Sequence, residues 1–226
     1  MERRLMDDFD IRLPFEDVVK KLRLEDEEDI GLMRSNCDTI LELARPKAVY
    51  KPCPVRAIEE DRVTIGDVVF HSRVMAKNLK DVECVYAYVA TCGREADDWS
   101  HKEEDPIVGL WLDIVKEMIL GKAMEQFTTR LAHEQHIDQY ATMSPGSGNL
   151  NVWPIQQQRE LFALIGSVEE ETGVHLTGSC LMLPTKSVSG ILYPSEQGFI
   201  TCVLCTRAHC PHRRAPYDPS KSEMLV

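Results

Sequence analysis

The sequence feature that most constrains the fold is a long helix predicted from Val108 to Glu134. Its apolar side chains change face partway along, so the first half and the second half present different apolar sides. The first set is Trp111, Ile114, Val115 and Met118, and the second is Leu120, Ala123, Met124, Phe127 and Leu131. A helix that is apolar on two faces is usually packed between other elements. We therefore expect this helix to lie inside a domain.

The rest of the first two thirds mixes helices and strands. Helices are predicted at Phe15–Leu22 and Glu25–Leu43, and strands at Val63–Phe70 and Cys84–Thr91. Another helix is expected from Pro154 to Gly173, because proline favours the first helical position and glycine the left-handed cap.

The last third changes period and predicts short strands at Val174–Leu183, Ser187–Tyr193 and Gly198–Leu204. Strands that follow mostly helical sequence are typical of an α+β fold rather than a doubly wound sheet. The chain has neither a G-x-G-x-x-G motif after a strand nor a phosphate-loop lysine motif. A Rossmann or phosphate-loop enzyme is therefore disfavoured.

Composition excludes several classes of partner. The chain has 226 residues, which suits one domain, and its 26 basic and 37 acidic residues give a net charge of -11. That charge disfavours a nucleic-acid-binding surface, which needs clustered Lys and Arg. No apolar run is long enough to span a bilayer, and the N-terminus lacks the apolar core of a signal peptide. We expect a cytoplasmic protein that has no membrane partner.

Cysteines are concentrated near the C-terminus. Of the 8 in the chain, Cys202 and Cys205 form a C-x2-C pair, and Cys210 follows closely. Such sulfur-rich spacing suits zinc or an iron–sulfur cluster. The fourth ligand could be Cys180, His209, His212 or an exogenous group. Cys180 qualifies because its strand is expected to lie in the same sheet as the strand that ends at Cys202. The alternative is a tail with incidental free thiols.

Two other features could contact a ligand. At 100° per residue, Glu125 falls within about 20° of Met118 on the long helix, in line with an apolar stripe. Such a carboxylate is either buried with a partner, facing a ligand cleft, or solvated because the helix has turned. The loop Ser144–Gly148 has two glycines before a helix, so its backbone N–H groups could approach a ligand closely. Loops of this composition are also common as plain connectors.

Several motifs together resemble a known family. They are Ser144-Pro-Gly146, the helix Trp153–Gly173, the segment Leu176-Thr-Gly-Ser-Cys-Leu-Met182 with Pro184, and Ser187-Val-Ser-Gly190. With the helix that carries Ala123, Glu125, Phe127 and Leu131, they resemble the activation domain of cobalamin-dependent methionine synthase. The resemblance covers about Asp113 to Tyr193 and is looser before it.

This resemblance implies helices packed on a twisted antiparallel sheet. We expect one domain spanning 1–226, because no internal repeat, low-complexity tract or obvious linker divides the chain. Its parts would be an N-terminal α/β part (1–105), a family-like core (106–200) and a Cys-rich tail (201–226). In the family, the domain binds S-adenosylmethionine and docks on the cobalamin domain, which permits reductive remethylation of oxidised cobalamin. The cofactor-binding residues implied here are Glu125, Ser144, Pro145, Gly146, Ser147 and Tyr193.

At some positions this sequence differs from the pattern of the methionine synthase activation domain. The arginine of the family loop is Thr142 here, and the glutamate of its L-T-E-S segment is Gly178. Loss of the arginine removes a bidentate partner for a ligand carboxylate, which counts against methionine-synthase-like binding of S-adenosylmethionine. The cysteine tail is an addition to the family pattern and is similar to that of short stand-alone relatives.

The leading hypothesis is a stand-alone reactivation component of a corrinoid methyltransferase such as methionine synthase. Its partner would be a corrinoid protein or the methionine synthase core, and the partner would carry the cobalamin. A cluster at Cys180, Cys202, Cys205 and Cys210 would deliver electrons. The alternatives are a non-redox docking subunit with a structural zinc, and an S-adenosylmethionine-binding protein acting by itself.

Overall fold

A computed structural model describes residues 2–148, 151–210 and 213–221. The strands within these residues are β1 Arg4–Met6, β2 Lys47–Ile58, β3 Arg62–Ile65, β4 Val68–His71, β5 Cys84–Thr91, β6 Tyr140–Met143, β7 His175–Leu176, β8 Met182–Leu183 and β9 Ser187–Pro194. Seven of them form an antiparallel sheet with the order β4-β3-β2-β5-β9-β6, in which β1 also pairs with β2. A second sheet pairs β7 with β8.

Helices cover both faces of the large sheet. They are α1 Phe15–Leu22, α2 Glu27–Leu43, α3 Arg73–Asn78, α4 Arg94–Ser100, α5 Pro106–Glu134, α6 Gln158–Ile165 and α7 Val168–Thr172. Short 3-10 helices occur at Ile155–Gln157 and Thr201–Leu204. This arrangement confirms the predicted α+β class with helices on an antiparallel sheet. None of the described helices combines the length and the apolar content that a bilayer span needs.

The long helix α5 belongs to two apolar clusters, which explains its change of face. In its first half, Leu112, Val115 and Ile119 are buried in a cluster with residues of α1, α2 and α4. In its second half, Phe127 and Leu131 are buried against tyrosines of β2 and β5. The opposite sheet face carries another cluster, formed with α3, α6 and α7. Helix α5 thus bridges a helical layer and the sheet.

Three predicted strands are wrong in detail. Val63–Phe70 is a hairpin of β3 and β4, because Gly66 adopts a positive φ of 58° and turns the chain. Val174–Leu183 folds back on itself as β7 and β8. Gly198–Leu204 ends in the 3-10 helix rather than in a strand. The expectation that Cys180 and Cys202 lie on strands of one sheet is therefore also wrong.

The predicted helix from Pro154 to Gly173 is interrupted. It opens as the 3-10 turn and continues as α6, and then Gly166 (φ 74°) and Ser167 (φ 48°) break it before α7. Gly173 ends α7 in the left-handed conformation, as predicted. The break lets α6 and α7 follow the sheet surface separately, and both contribute buried side chains to the same apolar cluster.

Gly190 of β9 marks the closest approach of the sheet to the loop after β6. A Cβ placed on Gly190 would meet the carbonyl oxygen of Met143, and it would lie 2.9 Å from Ser144 Oγ and 3.1 Å from Tyr88 Oη. No side chain fits there without moving backbone. The glycine of the S-V-S-G segment is therefore required so that β6, its loop and β5 can meet.

Substitution of Gly190 by Ala is expected to destabilise the fold by about 1–3 kcal/mol or more, because the methyl group must displace a backbone carbonyl. Urea unfolding followed by circular dichroism measures the change. The matched control is Gly121→Ala on α5, where a Cβ meets nothing within 4 Å. That variant should be neutral or stabilised by up to about 1 kcal/mol, since alanine favours helices. Equal stability of the two variants would contradict the close approach.

Candidate functional site

The loop Ser144–Gly148 follows β6 and is held in place by Trp153, which packs against Phe70 beneath the loop. The backbone N–H of Gly146 donates to the carbonyl of Trp153 at 2.8 Å. Trp153 is fully buried and packs edge-on against Phe70, with ring centroids 5.6 Å apart. Gly146 (φ 73°) and Gly148 (φ 85°) both adopt the left-handed region. The loop is thus a backbone-lined turn anchored on the core, a shape that allows close approach of a ligand.

A buried hydroxyl pair joins this loop to the sheet. Tyr88 on β5 is 2% exposed, its hydroxyl is hydrogen-bonded to Ser144, and its ring lies 5.3 Å from that of Phe127. Burial raises the pKa of Tyr88 to about 12, although the hydrogen bond from Ser144 and the positive charge of Arg214 act in the opposite direction. Tyr88 therefore stays a neutral phenol near pH 7 and positions Ser144.

The C-terminal tail packs on the same loop. The methyl carbon of Thr201 lies 2.5 Å from where a Cβ of Gly148 would stand, so the two segments touch. Thr201 is buried, and Leu204 is buried in the cluster that contains Trp153. The start of the Cys-rich tail is therefore part of the wall around the Ser144–Gly148 loop.

One arginine holds the tail together. The guanidinium of Arg213 donates to the carbonyls of Cys202 (3.3 Å), Cys205 (3.2 Å) and Ala215 (3.2 Å), and also to that of Arg207. These bonds close the cysteine segment around a single side chain. They satisfy carbonyls that a segment without regular secondary structure would otherwise leave to water.

The thiol of Cys202 is favoured in its anionic form. Its half-burial by itself raises the pKa, but hydrogen bonds from the backbone N–H groups of Arg214 and Ala215 and the charges of Arg214 and Arg213 outweigh that effect. The pKa of Cys202 is therefore lowered. The N–H of Arg214 lies 3.5 Å from the sulfur. A thiolate in such a setting is suited to ligate a metal or to act as a nucleophile.

The four predicted metal ligands are dispersed. Cys202, Cys205 and Cys210 are half-buried in the tail, whereas Cys180 is buried in the turn between β7 and β8, with its sulfur 4.0 Å from the carbonyl of Gln156. Among the described residues, no three His, Cys, Asp or Glu side chains are grouped to hold a metal ion. His209 is exposed, and His212, another candidate fourth ligand, lies outside the described residues.

Glu125 lies in a separate region. Its side chain is 69% exposed and pairs with Lys122 at 3.3 Å, so the solvated alternative describes it. Because it is about 200° around the helix from buried Phe127, it points away from the sheet. A cavity of about 410 Å³ adjoins it. The lining residues are Asp10, Arg12, Lys122, Glu125, Gln126, Thr129 and Arg130.

Tyr193 lies beneath the site rather than in it. It is 1% exposed in the cluster with Met143 and Trp153, and burial raises its pKa. Its hydroxyl has no hydrogen-bond partner among the described residues. The structure thus brings Ser144, Pro145, Gly146 and Ser147 together with the tail, and places Tyr193 below and Glu125 apart.

Sequence reasoning misses two residues of these regions, Tyr88 and Asp10. Tyr88 is inconspicuous as one apolar position of a predicted strand, and Asp10 lies in a segment that has no periodicity. Asp10 is nevertheless linked to α5, since its backbone N–H donates to Gln126 at 3.1 Å. Arg214 stands out in the sequence only for its charge beside the thiols. The signal that could identify Tyr88 is its register opposite Gly190.

The comparisons with known proteins agree with this architecture. Residues 116–200 match the family model described as "Vitamin B12 dependent methionine synthase, activation domain". No curated protein matches the chain in sequence. Thirteen chains of solved structures match it. One is the "Crystal Structure of the MetH Reactivation Domain bound to AdoHcy", with a TM-score of 0.63, 13% identity, and coverage of 89% of this chain and 81% of that chain.

At that identity the structural match shows the fold, and the family model independently covers α5 from Lys116 through β9. The resemblance predicted from the S-V-S-G segment and its neighbours is confirmed. The chain therefore has the fold of the MetH reactivation domain, and its residues 116–200 are similar to the activation domain of vitamin B12-dependent methionine synthase.

Proposed function

We propose that the chain is an activation component of a cobalamin-dependent methyltransferase such as methionine synthase. It would assist the return of oxidised cobalamin to the methylated or Co(I) state, acting as a separate protein on a corrinoid protein or a methionine synthase core. The observation that carries this proposal is the family match over residues 116–200, which contain the second half of α5, the loop after β6, and β9. The cobalamin would belong to the partner, because this chain lacks the D-x-H-x-x-G motif.

The ligand we propose is S-adenosylmethionine or its product S-adenosylhomocysteine. Three features support it: a left-handed glycine loop, an adjacent buried hydroxyl pair, and the AdoHcy bound to the structurally similar MetH reactivation domain. Ser144, Pro145, Gly146 and Ser147 would contact the ligand, and Tyr193 would support the loop from below. Glu125, which lies on α5 apart from this loop, would form a second region of contact with the ligand.

Reactivation would transfer a methyl group and one electron. A one-electron reductant converts Co(II) to Co(I), and the Co(I) electron pair then forms the Co–C bond while the C–S pair returns to sulfur, which gives S-adenosylhomocysteine. The role of this chain is to bind the methyl donor and hold it toward the partner. Its loop suits that role because hydrogen bonds from the Gly146 N–H to Trp153 and from the Ser147 N–H to Ser144 hold it in place before the ligand arrives.

We further propose that Cys202, Cys205 and Cys210 bind a metal, either an iron–sulfur cluster that delivers electrons or a zinc ion that stabilises a docking surface. The lowered pKa of Cys202 supports this, because metal ligation needs a thiolate. Cys180, in the turn between β7 and β8, is one candidate for the fourth ligand. His209, His212 or an exogenous ligand would otherwise complete the site.

The proposed function predicts faster reactivation of a partner. The test combines the chain with Co(II) cobalamin-binding modules from methionine synthase and from a corrinoid methyltransferase, with titanium(III) citrate and S-adenosylmethionine. Visible spectra should show methylcobalamin forming at least about tenfold faster with at least one module when the chain is present, and only with the methyl donor. Omission of the methyl donor is the control. If the chain accelerates methylcobalamin formation with neither module, the proposed function is contradicted.

Metal content separates the two forms of the metal proposal. Protein purified without oxygen is analysed for iron, sulfide and zinc, beside the double variant Cys202→Ser, Cys205→Ser. Metal should be present in the parent and absent in the double variant. The matched control is Cys84→Ser, a half-buried thiol on β5 away from the tail. Iron with sulfide supports electron delivery, zinc supports docking, and metal-free protein contradicts both.

A further inference from the structure

The first half of α5 has an apolar stripe on its solvent-facing side. Leu110 and Ile107 are 61% and 58% exposed, more than any other large apolar side chain among the described residues. At 100° per residue, Ile114 and Met118 lie within about 20° of Ile107 around the helix, and both are half-buried. Single exposed apolar residues are ordinary, whereas a contiguous apolar row marks an interaction surface.

We propose that a second copy of this chain covers the stripe, with the two α5 helices antiparallel about a two-fold axis at Ile114. A two-fold contact uses the same patch on both copies, so each residue of the stripe must face its complement on the same helix of the other copy. With the axis at Ile114, a residue seven positions before it faces the residue seven positions after it. This inference goes beyond the proposed function and does not depend on its ligand.

The stripe is complementary to itself in size. In the antiparallel arrangement, the protruding side chain of Ile107 faces Gly121 of the other copy. Gly121 is exposed, and a Cβ placed on it meets nothing within 4 Å, so the position leaves a gap for that side chain. Leu110 faces Met118 in the same way, and the flexible thioether of a methionine adapts to an irregular neighbour. Large side chains therefore meet a gap or an adaptable side chain at every step along the stripe.

The ends of the stripe are complementary in charge. Glu104 and Asp105 lie exposed at its beginning, and the half-exposed Lys122 lies at its end. At 1.5 Å per residue, Lys122 and Asp105 are about 12 and 13 Å from the axis on opposite sides, so each lysine faces the other copy's carboxylates. Lys122 pairs with Glu125 at 3.3 Å, and its ammonium has three N–H donors, enough for a second carboxylate. A parallel pair would instead bring the two acidic ends together, which repels.

Sedimentation equilibrium of the full chain over about 1 to 200 µM measures the association, because mass action makes a dimer depend on concentration. The parent should approach twice the monomer mass. Leu110→Glu should raise the dissociation constant at least about tenfold, since it buries an unpaired charge in the contact. Gly121→Leu should do the same by filling the gap that receives Ile107. Circular dichroism checks that both variants, at exposed positions, keep the fold.

The matched control is Leu181→Glu, which makes the same change at a 51% exposed leucine in the turn between β7 and β8. It should dimerise like the parent. If the parent stays monomeric over this range, the proposal is overturned, and loss of binding of Leu110→Glu to a cobalamin-binding module would then assign the stripe to that module. Dimers of Leu110→Glu and Gly121→Leu as tight as those of the parent also overturn it.

Charge exchange tests the antiparallel arrangement. Lys122→Glu and Glu104→Lys should each weaken the dimer, because like charges then face each other at both of its ends. An equimolar mixture of the two variants should restore the parental association, since in the mixed dimer each end again joins one lysine to one glutamate. A mixture that associates no better than either variant alone overturns the antiparallel arrangement.

Discussion

The close approach of three groups over Gly190 is the constraint on which the rest of the site depends. The carbonyl of Met143, the hydroxyl of Ser144 and the hydroxyl of Tyr88 converge where a side chain of β9 would otherwise stand. This convergence sets how near β6 lies to β9 and where its loop begins. Because Tyr88 also packs on Phe127, the same point connects the loop to the long helix.

The tail extends this arrangement instead of lying free on the surface. Its first turn buries Thr201 and Leu204 against the loop and the core. Arg213 binds the following carbonyls, and Cys202 accepts a hydrogen bond from Arg214. The ionisation or ligation of Cys202 and the position of Arg214 are therefore physically linked.

The elements that have a strong local signal are predictable from the sequence. Helix α1 and strand β5 have the predicted bounds, and α5 and β9 differ from prediction by one or two residues. Strand β2 escapes prediction because Pro52 and Pro54 interrupt its pattern. The structure tolerates both prolines because the edge of β2 away from β5 is unpaired around them. On that edge, β2 pairs with β1 as far as Tyr50 and with β3 from Val55 onward. Between these residues, no described strand needs the missing N–H groups.

The candidate site is predictable only in part. The glycines identify the motif loop, but its contact with the tail depends on tertiary packing that no local pattern encodes. Glu125 aligns with an apolar stripe that no longer faces the packed core at that point of α5. Cys180 and Cys202 both lie in apolar runs that favour one sheet, whereas turns at Cys180 (φ 65°) and Gly198 (φ 63°) redirect the chain.

The central claim is that the Ser144–Gly148 loop binds an S-adenosyl ligand. Hydrogen–deuterium exchange of the full chain with and without S-adenosylhomocysteine tests it most directly. The account predicts that amides of residues 144–148 exchange more slowly when the ligand is bound. Protection confined to the cavity beside Glu125, or no protection at all, would contradict it.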